Sequence, residues 1–485
     1  MRPQVRFLSD ELIKKIIDEA KIVLETIGVE IHNEEVIKLL SEYQVKIDSK
    51  RSRVFFNNSI IEKSLATVPR SFKLFSSSEN LTNDFTGNKI HFTPGSSALY
   101  FLDYLTKQFR RPFTKDYINY VKVVDQLKFI ASQSTSMVPA DVHDGISDSY
   151  RLFLSLLYSE KPVITGCFTI ESFEVMKNML IAVRGSKENL KEMPLAVFSC
   201  CPTSPLKWSE ITSQNVLDCA KFFIPVEFIA MPLAGFAAPV TLVGTLIQHT
   251  AETLSGIVIS QLANPGTPIL YGGSPAIFDV RYETTPMGAI ETMMIDCAYN
   301  EIGKCLGIPT QAYISLTDSK QLDVQAGLET GMGAVLAALS GINNMSGAGM
   351  IDFESCISLE KLVTDNEICG MTLRMVEGIS SKEDFPSIPH FEELLKEEHL
   401  LISKHTRKYL KEEHFFPGPI INRANNARWI EEGSSTLEER AHEQVEKLFQ
   451  TYKPVELSEE KKHELVKMME SEALKFGQEK LPQRN

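Results

Sequence analysis

Seven short apolar runs recur along the chain: near Ile130 (FIASQSTSM), Val163 (PVITGCF), Ala196 (PLAVFSC), Val226 (PVEFIAM), Ile269 (PILYGG), Gln311 (PTQAYIS) and Asn343 (GINNMSGAGM). The steps between them are 33, 33, 30, 43, 42 and 32 residues, and five of the seven runs are introduced by proline. Continuous apolar runs bounded by Pro and Gly suit strands buried on both faces. Helical patterns fill the gaps, so the repeat is a βα unit and the sheet is parallel. With an eighth strand placed at Ala98–Leu102, the count is that of a TIM (β/α)8 barrel. An open doubly wound sheet is the alternative.

The flanks read differently. Residues 1–90 are expected to form an N-terminal helical segment: Ser9 caps an apolar-periodic stretch that stops at Gly28, and further helices are expected at 33–43 and 58–67. The barrel is expected over 91–379, with helices at 116–128 behind Thr114 and at 354–376. Residues 380–485 are charged and helical in pattern and are expected to pack on the barrel as a C-terminal extension, with GPIINRANNARWIEEG as a loop.

Charge and composition remove several function classes. The net charge is −13, from 50 basic and 63 acidic residues, which argues against nucleic acid as a partner. Two long uncharged runs, 228–251 and 253–278, are interrupted by Pro and Gly and read as buried barrel segments, not membrane spans. No apolar core follows the basic N-terminus, so a cytoplasmic protein with reduced thiols is expected; the eight cysteines form no CxxC pair. GxGxxG, Walker A, GxSxG and HExxH motifs are absent, and no spacing of His and Cys supports a metal site.

In a barrel of this kind chemistry lies just past the C-terminal ends of the strands. Asp141, Asp279, Asp318 and Asp352 fall there and could face a cation or cap the following helix. Glu252 is a lone carboxylate in an otherwise uncharged stretch and needs a partner, for which His249 and Arg281 are candidates. Aromatic residues near this face are Phe92, Tyr100, Phe168, Tyr271, Phe278, Tyr282 and Tyr313; their rings could bind a quaternary ammonium group or simply pack. Small residues, among them Gly235, Gly272, Gly273, Gly347 and Gly349, leave room for a bulky partner or serve turns.

Many stretches of the chain carry a resemblance in the right order. They are LYFLDYLTKQFRRPFTKDY, CCPTSPLKW, AGFAAPVTLVGTLIQHTAETLSG, QLANPGTPILYGG, DVRYETTPMGAIE, LTDSKQLDVQAGLE, EKLVTDNEICGMTLR and INRANNARWIEEGSSTLEERA. From about residue 8 to 450 the chain resembles the trimethylamine methyltransferase superfamily, whose members are corrinoid-dependent amine methyltransferases with a TIM-barrel fold. Its trimethylamine enzymes carry pyrrolysine, which this sequence lacks; members without it are similar to quaternary amine demethylases acting on glycine betaine, proline betaine, carnitine or related compounds.

The resemblance implies in-line methyl transfer to cob(I)alamin carried by a separate corrinoid protein, with a tertiary amine leaving and no tightly bound cofactor. On that reading Glu252, Asp279, Asp318 and Gln325 form the polar, catalytic wall. Tyr100, Tyr271, Tyr282 and Tyr313 face the ammonium group, and Arg281 holds a betaine carboxylate. The small residues Gly235, Gly272, Gly273, Gly347 and Gly349 admit the corrinoid face. A homo-oligomer is expected. The competing readings are a betaine-binding barrel without catalysis and a metal-dependent barrel lyase or hydrolase.

Overall fold

The computed structural model describes residues 2–484. Eight parallel strands make the barrel: β1 His91–Pro94, β2 Gln133–Ser134, β3 Val163–Thr165, β4 Ala196–Cys200, β5 Val226–Ala230, β6 Ile269–Gly273, β7 Gln311–Tyr313 and β8 Asn344–Ala348. Neighbours in this order are paired in register, for example Val163 with Ala196, Phe198 with Val226, Phe228 with Tyr271, and Ala312 with Met345. The ring closes where Met345 of β8 pairs with Phe92 of β1. Single bridges from Phe92 to Ile130 and from Tyr271 to Thr310 complete it.

Each strand feeds a helix on the outside: α1 Thr114–Gln126, α2 Ser147–Tyr158, α3 Ser172–Arg184, α4 Glu210–Phe222, α5 Leu242–Ala263, α6 Ile290–Cys305, α7 Val324–Ser340 and α8 Leu359–Glu377. Local chemistry fixes the helix starts. Thr241 accepts from Gly244 N ahead of α5, and Asp323 accepts from Ala326 N ahead of α7. Every residue of β5 and β6 is buried. One face meets the helices and the other the barrel interior, which is why these strands show no polar alternation in sequence.

Two expectations need correction. Residues 98–102 do not supply the first barrel strand; His91–Pro94 does. Tyr100–Asp103 instead forms a hairpin with Gln108–Arg110 and runs alongside Cys356–Ile357. The last barrel helix begins at Leu359 behind the cap Ser358, and Glu354 belongs to a turn before it.

The end of the barrel opposite the mouth is plugged. The hairpin of Lys73–Phe75 and Leu81–Asp84 brings Leu74 and its neighbour Phe85 against Ile164, Val197 and Leu270 inside the ring. The N-terminal segment has helices at Asp10–Thr26, Glu34–Glu42 and Asn58–Leu65, and it also holds short strands that pair with Lys207–Trp208. Asp10–Thr26 lies on α5 and α6. At the other end of the chain, Leu437–Thr451 lies on α8 and α1, and Glu459–Lys475 on α2 and α3. Asn426–Glu431, within the stretch expected to be a loop, is a short helix. Among the described residues no helix is long and apolar enough to cross a membrane.

Candidate active site

A cavity of about 320 Å³ opens at the C-terminal ends of the strands. Its wall includes Ser96, Ser97, Thr135, Arg151, Phe168, Ser199, Cys201, Met231, Tyr313 and Glu354. Strand alternation decides what faces it. In β5 the side chains of Val226 and Phe228 turn to the helices, so Glu227 and Ile229 turn inward. In β7 Gln311 and Tyr313 turn inward by the same rule.

Glu227 is fully buried, and its Oε1 accepts from Ser199 Oγ at 2.6 Å while Oε2 has no partner. Burial pushes its carboxyl up to about 7, the Ser199 bond opposing in part. Glu354 reaches the same region from the far side. It ends a run of three left-handed residues, Asp352, Phe353 and Glu354, with φ of 51°, 55° and 71°. Such a run in non-glycine residues is strained backbone. Asp352 N donates to Ser319 O, and Ser355 Oγ to the Asp352 carboxylate, which hold the turn in place. The Glu354 carboxylate accepts from Ser96 N at 3.2 Å. Burial, with a further push from the charge of Glu227, raises it to about 8. Tyr313 sits by both acids, its hydroxyl 2.8 Å from Ser96 Oγ, and its phenol is raised by burial and by their charges.

Across the cavity stands Arg151 of α2, completely buried. Its Nε donates to Ser147 O at 3.2 Å, and Nη1 to Thr135 O at 2.8 Å and Ser97 Oγ at 3.2 Å. All three acceptors are neutral, and among the described residues no carboxylate lies within salt-bridge distance, the charge of Asp148 acting from farther off. The guanidinium stacks over the Phe168 ring at 4.4 Å. The site is therefore bipolar. Half-buried Glu354 lines one side, with fully buried Glu227 behind Ser199, and among the described residues neither pairs with a basic side chain; a buried cation whose Nη2 is uncommitted lines the other. A buried charge of either kind is costly without a partner. The arrangement suits a ligand carrying a cation at one end and an anion at the other.

Of the residues singled out from sequence, Tyr313 and Phe168 line this cavity. Glu252 is buried in α5 and clamps the β4–α4 loop, accepting from Ser204 Oγ, Leu206 N and Gln248 Nε2. Neither His249 nor Arg281 pairs with it; His249 turns to Gly272 O at 3.1 Å. Asp318 accepts from Met287 N and Gly288 N, and Gln325 is an exposed donor to Glu329. Tyr271 faces the helices and bonds Thr250 Oγ1, whereas Tyr100 and Tyr282 are 40% and 74% exposed.

Arg281 forks onto Asp279 from the surface, with its side chain 77% exposed, and Asp279 is held down to about 2 by that pairing. Arg281→Ala should accordingly leave the KM for a betaine within about two-fold, because an exposed ion pair contributes little; steady-state kinetics check this.

The glycines divide by place. Gly235 turns the rim loop at φ +89°, whereas Gly349 donates to Asp365 and Gly347 bulges β8. Gly273 backs onto His249, and a side chain at Gly272 would collide with Gln311 inside the barrel, at 2.5 Å. Sequence reasoning missed Arg151, Glu227 and Glu354. For the first two a signal existed: each is the lone charge in an apolar stretch, RLFLSLLY and VEFIA. Among the described residues no group of three His, Cys, Asp or Glu side chains is placed to hold a metal.

A family description, trimethylamine methyltransferase, matches residues 1–476. The chain belongs to this family. It is similar to trimethylamine methyltransferase MttB of Desulfitobacterium hafniense strain DSM 10664 / DCB-2, at 27% identity over 93% of this chain and 90% of that one. It is also similar to the glycine betaine methyltransferase of D. hafniense strain Y51, at 29% identity over 94% of this chain and 95% of that one. The monomethylamine methyltransferase MtmB of Methanosarcina barkeri shares the fold, with a TM-score of 0.51 over 92% of this chain and 89% of that chain at 11% identity. The protein is thus a TIM-barrel methyltransferase.

Proposed function

We propose that this protein takes a methyl group from a small quaternary ammonium compound bearing a carboxylate, glycine betaine or a related betaine, and delivers it in the cytoplasm to a corrinoid carried by a partner protein. The observation that carries the reading is the bipolar cavity: Glu354 in its wall and Glu227 behind Ser199 on one side, and on the other Arg151, which among the described residues makes no salt bridge and feels only the more distant charge of Asp148. The names of the two Desulfitobacterium relatives, one acting on trimethylamine and one on glycine betaine, support the substrate class.

The rim fits a large apolar partner. Phe236 stacks on Phe278 at 4.9 Å, and Phe236, Val240 and Val280 are 71%, 74% and 75% exposed. An exposed apolar patch of this kind marks an interaction surface. A corrinoid there would supply a nucleophilic cobalt(I) as methyl acceptor.

The chain's own part is positional. The methyl carbon leaves nitrogen formally as CH3+, the C–N electron pair stays on nitrogen, and the cation becomes a neutral tertiary amine. No general acid is needed for that departure. Glu227 and Glu354 neutralise the ammonium group, Arg151 takes the carboxylate through its uncommitted Nη2, and Phe168, Met231 and Tyr313 exclude water around the methyl groups. Holding the methyl at the mouth in one orientation can supply roughly 7–11 kcal/mol. As the positive charge fades the carboxylates lose their partner, so they act in binding more than in the transition state.

The test is spectroscopic. Cob(I)alamin, free or on a corrinoid protein, is mixed anaerobically with the protein and one amine at a time. Loss of the cobalt(I) absorbance together with release of the demethylated amine, for a betaine and not for trimethylamine, is the expected result. Tight betaine binding without turnover on any corrinoid carrier would favour a binding protein instead.

A further inference from the structure

We propose that Asp148, at the start of α2, is a positioning residue for the carboxylate end of the substrate: it anchors the loop between β3 and α3 so that the Phe168 ring lies on Arg151 while the guanidinium stays unpaired. The proposal rests on the reading of the cavity given above. Asp148 is buried and is not part of the cavity wall. All of its partners are uncharged donors. Oδ1 accepts from Ser149 N at 2.7 Å and from Ser172 Oγ at 2.8 Å, and Oδ2 accepts from Phe168 N at 2.6 Å. A carboxylate withdrawn from water is costly unless its oxygens are bonded, and bonds to an ionised acceptor are the strong ones.

The spacing on α2 makes this use of the acid informative. Asp148 and Arg151 stand three residues apart on one helix, where an acid and a base ordinarily pair. Here the acid turns to the loop instead. Had the two paired, the guanidinium would be occupied before any substrate arrived, as Arg281 is by Asp279. Asp148 still acts on Arg151 from a distance: burial lowers the guanidinium pKa, and the charge of Asp148 works against that. The helix thus carries a charge that favours the cation and takes none of its donors.

Phe168 needs such an anchor. It is 43% exposed and sits in a loop, residues 166–171, yet its ring lies 4.4 Å from the Arg151 guanidinium. The attraction between a cation and an aromatic face holds only while the ring is in place. Asp148 ties that loop at two points, at Phe168 N and at Ser172 Oγ, and the Ser172 hydroxyl is itself 2.7 Å from Thr169 Oγ1. With the ring against the guanidinium, an incoming carboxylate meets the nitrogen left uncommitted, Nη2.

Asp148→Asn keeps the volume but sets an amide NH2 against Phe168 N, donor to donor. In steady-state kinetics with the corrinoid carrier, the KM for glycine betaine should rise about 10-fold, and that for a quaternary amine lacking the carboxylate by no more than about three-fold. Phe168→Leu removes the ring directly, and in that background Asp148→Asn should add less than about two-fold to the betaine KM. Phe168→Trp reports the loop without any ligand: adding Asp148→Asn should raise the quenching of the introduced indole by acrylamide and move its emission to the red, with the signal of Trp208 and Trp429 taken from wild type and from Asp148→Asn alone. An equal rise in KM for both substrates, additivity with Phe168→Leu, or an indole that does not respond overturns the proposal. If Asp148→Asn does not fold, Ser172→Ala, which removes one of the two ties, should give the same split at about three-fold, and a uniform loss there overturns it as well. A wild type that turns over no betaine fails the cavity reading instead. The indole then decides alone: a response to Asp148→Asn keeps Asp148 as the anchor of Phe168, and none removes it.

Discussion

Glu227→Gln lowers the affinity for a quaternary ammonium ligand by about 100-fold or more and leaves the barrel folded. Removing one charge of a fully buried pair costs roughly 3–5 kcal/mol, most of it from the charge left behind. Here that charge would be the ligand's own. The amide keeps the volume and can still bond Ser199, so the fold loses little.

The pH dependence separates this from a packing effect. The folded carboxyl is raised from 4.5 to about 7 for Glu227, and to about 8 for Glu354. A raised carboxyl stabilises the fold fully below its unfolded value and loses that contribution as pH climbs through the folded value. The free protein should therefore lose stability between roughly pH 5 and 8, by about 3 kcal/mol from Glu227 alone. A bound cation favours the ionised acids, so the rise in Tm caused by tetramethylammonium or glycine betaine should grow over the same interval. Binding near pH 7 should release protons, visible in calorimetry as a buffer-dependent heat. In Glu227→Gln both signatures shrink. Equal ligand affinity in wild type and Glu227→Gln would sink the assignment of the cation's binding place.

Arg151→Lys separates substrates by their far end. The lysine keeps a positive charge and loses the planar fork that matches a carboxylate. The KM for glycine betaine should rise by about 100-fold, while a quaternary amine lacking the carboxylate changes by no more than about three-fold. The split between the two substrates is the informative quantity. Arg151 also donates to Thr135 O and Ser97 Oγ, so some loss of stability is expected for both. A uniform loss for both substrates would make Arg151 a structural cation. The outcome also discriminates between Arg151 and the exposed Arg281, whose pairing with Asp279 is complete without a ligand.

The chain's spacing carried most of the barrel. All seven repeated apolar runs hold a strand of the ring, beginning within three residues of the positions read from sequence: 133, 163, 196, 226, 269, 311 and 344. A βα unit needs a fixed length of chain, and a strand buried on both faces must be apolar throughout, so periodicity and composition suffice. The eighth strand was misplaced because YFLD looks more strand-like than HFTP. What makes His91–Pro94 the barrel strand is its pairing with both β8 and the start of β2.

The site was less legible for the same reason that the strands were easy. When both faces of a strand are apolar, alternation vanishes and the inward residue cannot be told from the outward one. Tyr271 and Tyr313 look alike in sequence, yet one bonds Thr250 among the helices and the other Ser96 in the cavity. Glu252 drew more weight than Glu227 because it stands alone in a longer uncharged stretch; in three dimensions it is satisfied by a loop, while Glu227 is buried behind the cavity-lining Ser199 with one oxygen unpartnered. Glu354 had no local signal at all. It comes to Glu227 only because the strained turn at Asp352–Glu354 sends the chain back over the mouth after β8. Apolar spacing along the chain already requires a ring of parallel strands with its chemistry at one end. Which charges meet there is settled on folding, because strand facing and loop return are set by closure of the ring and not by neighbours along the chain.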